Sequence, residues 1–404
     1  MLRIEDYASF RRVATPFYYY DIDLFRSTVE KVAALSESTG IRVHYSVKAN
    51  SDRRLNDIIS SHGLGADCVS GDEIDFAVSC GYDPKQIFFA GVAKSDREIC
   101  QAFQVGIGAF VVESLEEIEI VSDIARRLGR KAPMSLRINP NIDPHTHHYI
   151  TTGLYEDKFG ISDRSFGEAV AMVKDNPYID FYGLQFHIGS QILEVEDVIK
   201  LECEKVNKVV RIFEETGLVV RNIDLGGGLG VDYDDPDGHP VPDFESWFEK
   251  IDKNLERRPD QIVHIEPGRS LVAQSGSLIT EVLYVKKGEN KRFLMVDAGM
   301  NDLIRPALYG AYHKIENVTA FYEDNNNRQT RVYDVVGPVC ESADCFGKER
   351  ALAKSRRGDR IAIRSSGAYG QVMASRYNMR PFAPSVYSDR IAEAPKRKDY
   401  FAAE

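Results

Sequence analysis
Between residues 41 and 266 the chain alternates eight short β-rich runs with longer amphipathic stretches, and this alternation limits its possible folds more than any other feature. The runs are IRVHYSV (41–47), GADCV (65–69), QIFFAG (86–91), GAFVV (108–112), MSLRI (134–138), YGLQFHI (182–188), RNIDL (221–225) and IVHIE (262–266). Seven helical patterns separate them, for instance SLEEIEIVSDIARRLG (114–129). In EDVIKLECEKVNKVVRIFEETG (196–217), apolar Val198, Leu201, Val206, Val209, Ile212 and Phe213 recur near helical spacing, and Gly217 sits where a C-terminal cap belongs. Parallel neighbours need helical crossovers, so the pattern predicts an α/β chain with a (β/α)8 barrel over residues 24–267. A doubly wound open sheet competes with this reading, but it usually has fewer strands.

The last third reads differently. SLITEVLYVKK and RFLMVDAG within 277–299, TRVYDVVG (330–337) and DRIAIRS (359–365) follow one another with little helix between. They predict a mainly antiparallel β domain from residues 1–23 and 268–404, joined by the N-terminal run PFYYYDI (16–22). EDNNNRQT (323–330) reads as a hairpin loop and the charged tail after Val386 as solvent-exposed.

Apolar residues at 43% and charged residues at 28% suit a globular chain with a large core. A net charge of −11 argues against nucleic acid, which needs a basic face. No stretch approaches the roughly 18 apolar residues of a membrane span. Arg3, Glu5 and Asp6 leave no apolar run for a secretory signal, so a cytoplasmic location is expected. The six cysteines (68, 80, 100, 203, 340, 345) form no C-x-x-C pair, so neither a disulfide framework nor a metal site is expected.

In a (β/α)8 barrel, reactive groups gather just past the carboxyl ends of the strands. Lys48 follows the first run, His187 ends the sixth, Gly226–Gly227–Gly228–Leu229–Gly230 follows the seventh, and Glu266–Pro267–Gly268–Arg269 follows the eighth. Each has a plainer reading: a surface cation, a structural imidazole, a tight turn, a turn with an ion pair. Together on one rim they suggest one ligand. A glycine loop at a helix start is a phosphate cradle. A lysine beside apolar neighbours (Tyr45, Val47) can lose its proton and form a Schiff base. A carboxylate such as Glu266 can keep a pyridine nitrogen protonated, and an imidazole such as His187 can lie against the ring. Phosphate, aldehyde and pyridine together describe pyridoxal 5′-phosphate.

The ordered strings YSVKAN (45–50), HIGSQI (187–192), DLGGGLG (224–230), EPGRSL (266–271), RPALYGA (305–311), GPVCESADCF (337–346) and AYGQVMASRYNMRP (368–381) resemble the diaminopimelate decarboxylase family, whose fold is a barrel plus a β domain. The resemblance runs from Pro16 to Pro381. Two positions depart from the family pattern: Asp72 stands where a second glycine is expected, and Ser46 where alanine is commoner. The resemblance implies that Lys48 carries the cofactor and His187 stacks on its ring. It implies that Ser190, Gly226, Gly227, Gly228 and the segment Glu266, Pro267, Gly268, Arg269 contact the cofactor, with Glu266 at the pyridine nitrogen. Tyr369 would reach the phosphate or the substrate. Arg269, Arg305 and Tyr309 would bind the carboxylate at the non-reacting end of the substrate, and Glu341 the ammonium there. Cys340, given by the neighbouring subunit of a homodimer, would return the proton. Asp67 and Arg137 are supporting or structural residues. The implied reaction converts meso-2,6-diaminopimelate to L-lysine and CO₂. Decarboxylases of other diamino acids or of carboxynorspermidine, and a non-enzymatic pyridoxal phosphate-binding protein, are the alternatives.

Overall fold
The computed structural model describes residues 4–139, 158–323 and 328–397. Residues 324–327, half of the expected hairpin loop 323–330, lie outside the described residues. Contacts divide the chain into two compact units, one of residues 28–230 and 243–271, the other of residues 1–27, 231–242 and 272–404. The chain enters on β1 (Phe17–Tyr20), which belongs to the second unit.

The first unit is a closed barrel of eight strands. These are β2 (Arg42–Ser46), β3 (Gly65–Cys68), β4 (Ile87–Phe89), β5 (Ala109–Val112), β6 (Ala132–Arg137), β7 (Ile179–Gln185), β8 (Asn222–Asp224) and β9 (Ile262–Ile265). Every neighbour is parallel, and β9 closes on β2. The expected runs and the observed strands agree to within a residue or two at each end, except that the fifth and sixth begin earlier and the sixth ends at Gln185, leaving His187 beyond the strand. The crossover helices start where local chemistry dictates. The side chains of Ser70, Ser95 and Ser114 each accept the N–H of a glutamate three residues on, satisfying a donor that the helix itself leaves unpaired. Asp72, the departure from glycine, sits exposed in the first turn of Gly71–Ser79, where a negative charge complements the helix dipole. Gly217 has a φ of +89° after the helix Val195–Glu215, as its capping position requires.

One layer inside the barrel is built from rings. His44 stacks on Phe88 at 3.9 Å, and His264 lies 5.1 Å from the same ring. His44 Nδ1 is 3.0 Å from the Gln86 carbonyl, His44 Nε2 is 2.9 Å from His264 Nδ1, and His264 Nε2 is 3.0 Å from Asn222 Oδ1. These three links have acceptors at both ends, yet two neutral rings carry only two N–H groups. Burial withholds the third proton: it holds His44 down to about 4 and His264 well below the ordinary imidazole value.

The second unit is a mostly antiparallel sheet. Its further strands are β10 (Gly276–Lys287), β11 (Arg292–Val296), β12 (Ile315–Asn317), β13 (Thr330–Val336), β14 (Cys345–Ala353), β15 (Arg360–Ile363) and β16 (Ser385–Tyr387). They run in the order β12-β15-β10-β11-β13-β14. As expected, the N-terminal run joins them: β1 lies antiparallel to β10, with Phe17 opposite Ile279, and parallel to β16. The β11–β13 pair is also parallel. Phe10, Phe17, Tyr19, Ile279, Val318 and Val386 share its core. The tail after Val386 is largely exposed as far as Arg397, as expected, and is tied down as well. Arg397 meets Glu281 at 2.8 Å, and its backbone N–H donates to Arg12 O. Val231–Pro242, inside the span expected for the barrel, clusters with this sheet because its acids meet cations there, Asp237 lying 2.8 Å from Arg364. The sheet curls until Ile315–Val318 and Ala351–Ala353 line one cavity of about 490 Å³ with Asp235, Asp237 and Arg364. Among the described residues no helix is long and apolar enough to cross a membrane.

Candidate active site
The carboxyl ends of the barrel strands carry a dense set of polar groups. Lys48 lies two residues past β2, and its Nζ donates to Asp67 Oδ2 at 2.6 Å. The sequence suggests an apolar setting for this lysine, but the ammonium meets a carboxylate. Burial pushes Asp67 up, and the charge and hydrogen bond of Lys48, with help from Ser46, bring it net below the usual carboxylate range. Ser46 Oγ is 3.0 Å from Asp67 Oδ2 and 3.1 Å from the Glu266 carbonyl, so this departure from alanine adds a donor to the site. Arg137 at the end of β6 binds Glu113 at 2.8 Å, with its guanidinium 4.7 Å from the Phe159 ring.

After β8 the chain makes the glycine turn. Gly226 has a φ of +68°, and a Cβ there would stand 2.4 Å from the Phe186 carbonyl. A Cβ on Gly227 would stand 2.4 Å from the Glu266 carbonyl. Bare backbone is therefore the occupant the turn admits, and it leaves N–H groups unobstructed by side chains. One of them, Gly227 N–H, donates to His187 Nδ1 at 3.2 Å. His187 Nδ1 must then be an acceptor, which puts the ring in its neutral form with hydrogen on Nε2. Burial, with Arg137 and Lys48 nearby, holds that imidazole down to about 3.

Glu266, one residue past β9, is buried and accepts from Gln185 Nε2 at 3.0 Å. Its carboxyl is held well above the usual range by burial first, then by Asp224 and Asp67. Pro267 O accepts the Ser46 N–H at 3.2 Å, and Gly268 O that of Leu271. Arg269 Nε and one terminal nitrogen reach Ser190 Oγ at 3.2 and 3.1 Å. Ser190, His187, Gly226–Gly228, Glu266, Arg269 and Lys48 thus belong to one connected rim. Sequence reasoning missed Asp224 and Gln185. The available signal was a polar residue ending an otherwise buried strand, which is costly unless it is hydrogen-bonded.

The remaining predicted residues lie in the sheet unit. Arg305 and Tyr309 begin and end one short helix, Arg305–Tyr309, which stops at Gly310. Arg305 is buried and donates to Tyr233 Oη at 2.9 Å and His313 Nε2 at 2.8 Å. Because that nitrogen accepts, His313 carries its hydrogen on Nδ1 and donates to Arg364 O at 2.8 Å. Tyr233 and His313 were not anticipated. Cys340 is exposed, whereas Cys68, Cys80 and Cys203 are buried. Its N–H donates to Asn378 Oδ1 at 3.0 Å. Glu341 beside it is exposed, and its carboxylate holds the Tyr377 phenol above its ordinary value. Asp344 fixes the segment by accepting from the backbone N–H groups of Met300 and Val339, each at 2.7 Å. Tyr369 holds a φ of +53°, a costly conformation for a bulky side chain.

These features fit pyridoxal phosphate: an amine at a strand end, a glycine cradle that a Cβ would fill, a neutral imidazole, and a buried carboxyl with an oxygen lacking any donor among the described residues. Residues 25–273 match the family model for the pyridoxal-binding domain of pyridoxal-dependent decarboxylases. Over 383 residues the chain is 47% identical to diaminopimelate decarboxylase of Bacteroides thetaiotaomicron, covering 95% of this chain and 97% of that one. It is 37% identical to the Aquifex aeolicus enzyme, covering 96% and 90%. A crystal structure of the Helicobacter pylori enzyme complexed with L-lysine superimposes with a TM-score of 0.84 at 40% identity, over 95% of each chain. The chain belongs to the diaminopimelate decarboxylase family of pyridoxal-dependent enzymes.

Proposed function
We infer that this enzyme decarboxylates meso-2,6-diaminopimelate to L-lysine and CO₂, the reaction its relatives are named for. The observation that carries the reading is the rim on which Lys48, His187, the glycine turn and Glu266 meet. When bound, pyridoxal phosphate supplies a cationic ring that accepts the electron pair left by departing CO₂. Lys48 is the amine that carries the cofactor, and Asp67 receives its ammonium whenever it is released. The Gly226–Gly228 turn, bare of side chains, lets the phosphate approach the backbone closely, with Ser190, Pro267, Gly268, Arg269 and Tyr369 around it. His187, neutral, presents a flat uncharged face. Glu266 faces the pyridine nitrogen.

At the other end of the substrate, Arg305 with Tyr309 and Arg269 binds the distal carboxylate, while Glu341 binds its ammonium. Cys340 of a second copy returns a proton to the carbon that lost CO₂, so the working unit is a homodimer in the cytoplasm. A cysteine suits this step because its acidity is readily tuned toward neutrality.

The experiment is a CO₂-release assay over meso-diaminopimelate, L-ornithine and L-arginine. Only the first carries the distal carboxylate for Arg305. Equal turnover of ornithine would refute this account of the pocket. Arg305→Ala should lower kcat/KM for diaminopimelate about ten- to a hundredfold, as expected for one charged contact.

A further inference from the structure
The guanidinium of Arg305 is buried, and its Nη1 donates to two neutral acceptors, Tyr233 Oη at 2.9 Å and His313 Nε2 at 2.8 Å. A terminal guanidinium nitrogen carries two hydrogens, so these contacts use both of them. The guanidinium carbon lies 5.1 Å from the centre of the Tyr233 ring, and that ring meets His313 edge-on, also at 5.1 Å. His313 is fully buried, and its Nδ1 donates to Arg364 O at 2.8 Å.

Both acceptors are tied to one residue, Arg364, just past β15. Its carbonyl takes the single N–H of the His313 ring, which leaves Nε2 as the acceptor that Arg305 meets. Its buried guanidinium pairs with Asp237 at 2.8 Å and with Glu316 of β12 at 2.6 Å. Asp237 lies four residues beyond Tyr233 in the segment Val231–Pro242, so the same pairing holds the segment that carries Tyr233. Charge keeps His313 neutral. A second ring proton would point an N–H at the Arg305 N–H and set two cations 2.8 Å apart, and the neighbouring Lys314 would add a third.

We propose that His313 and Tyr233 are positioning residues for the distal end of the substrate: neutral acceptors that hold the Arg305 guanidinium in one orientation without cancelling its charge. A carboxylate in either place would hold the side chain as firmly, but it would compete with the substrate carboxylate for the same cation. A long side chain fixed in advance also has less rotamer freedom to lose when the ligand arrives. The proposal rests on the reading of Arg305 as the residue that binds the distal carboxylate. That contact is remote from the carbon that loses CO₂ and is the same before and during the reaction, so its loss belongs in KM.

The test is steady-state CO₂ release from meso-diaminopimelate by the holoenzyme. His313→Asn keeps a donor for Arg364 O but ends short of Arg305. It should raise KM about tenfold with kcat changed far less, the scale of one hydrogen bond to a charged group. His313→Gln carries an amide oxygen out to the place of Nε2 and should bring KM back to within about threefold of wild type. In an Arg305→Ala background His313→Asn should add nothing, because a positioning residue acts only through what it positions. Should His313→Asn not fold, Tyr233→Phe decides on the same terms, since it keeps the ring and drops the acceptor. An unchanged KM in His313→Asn, a His313→Gln variant no better than it, or a loss that adds in full to that of Arg305→Ala overturns the positioning. An unchanged KM in Arg305→Ala itself overturns instead the reading of the pocket, and the proposal with it.

Discussion

Two adjacent layers of the same barrel use opposite solutions to burying polar groups. The layer of His44, Phe88, Tyr182 and His264 is made of rings that burial keeps neutral, and their two N–H groups are shared among three contacts, to one another, to Gln86 and to Asn222. Further along the strands, the layer of Ser46, Asp67, Gln185, Asp224 and Glu266 holds three acids, and several oxygens of the layer lack a donor among the described residues. Rings gain from stacking and tolerate loss of charge cheaply. Buried carboxyl groups do not, and such strain persists where a ligand gives it a use. The first layer packs the barrel, and the second is the one we assign to the cofactor.

The comparison breaks most severely if the layers exchange roles under mutation. Lys48→Arg should reduce CO₂ release below detection with a thermal midpoint near wild type, because a guanidinium cannot carry the cofactor but still meets the buried Asp67. His264→Ala should do the reverse. It strands Asn222 Oδ1 and the His44 nitrogen and empties a ring-sized space, at a cost of about 2–4 kcal/mol, while kcat changes little in the protein that remains folded. A denaturant titration beside a turnover assay separates the two, and a His264→Ala protein that is stable but inactive would erase the distinction.

The layers should also respond to pH with opposite sign. His44 is held down at about 4, so its contribution is present above the ordinary imidazole value of 6.5 and lost as pH falls through about 4. For that fully buried group the difference is about 3 kcal/mol. Asp224 is pushed up to about 7, so its contribution is present below 3.8 and lost as pH rises through about 7. Urea midpoints of the cofactor-free protein from pH 4 to 8 should form a dome. Asp224→Asn should flatten the alkaline limb and His44→Gln the acid limb. Flattening of the wrong limb by either variant would sink the argument. The smallest effect belongs to Ser46→Ala, which removes one of the donors near Asp67. A loss of about 1 kcal/mol and a few-fold in kcat is expected. A hundredfold loss would mean that the hydroxyl serves the chemistry and not merely the acid.

Much of this was legible in the sequence because period and punctuation are local. Eight runs, the serine caps and Gly217 are readable without knowing what they touch. Lys48, His187, the glycine turn and Glu266 were legible as well, since strand order alone puts strand ends on one rim. What escaped was pairwise. Nothing near Lys48 announces that Asp67, on the next strand, takes its ammonium. Asp224 was read as part of a glycine motif and given no role of its own. Tyr233 escaped because DYDDPDGH falls within the span expected for the barrel, whereas it belongs to the sheet unit, where its acids find their cations, Arg364 and Lys314.

The curl of the sheet bears on how this chain avoids self-association through its backbone. A closed barrel has no edge, but a sheet whose main path ends on β12 and β14, with the three-residue β16 at the end of a side branch, presents rows of hydrogen-bonding groups to any stray strand. Here the two ends bend toward a common cavity of about 490 Å³ instead of facing outward. Arg364 bridges Asp237 and Glu316 at its wall. The nine-residue β14 is further spoiled as a template by Lys348 and Arg350 and by the left-handed backbone of Glu349, at a φ of +54°. A second strand would have to displace ion pairs to enter and then meet a ladder already out of register, so an open sheet gains by curvature and charge what the barrel has by closure.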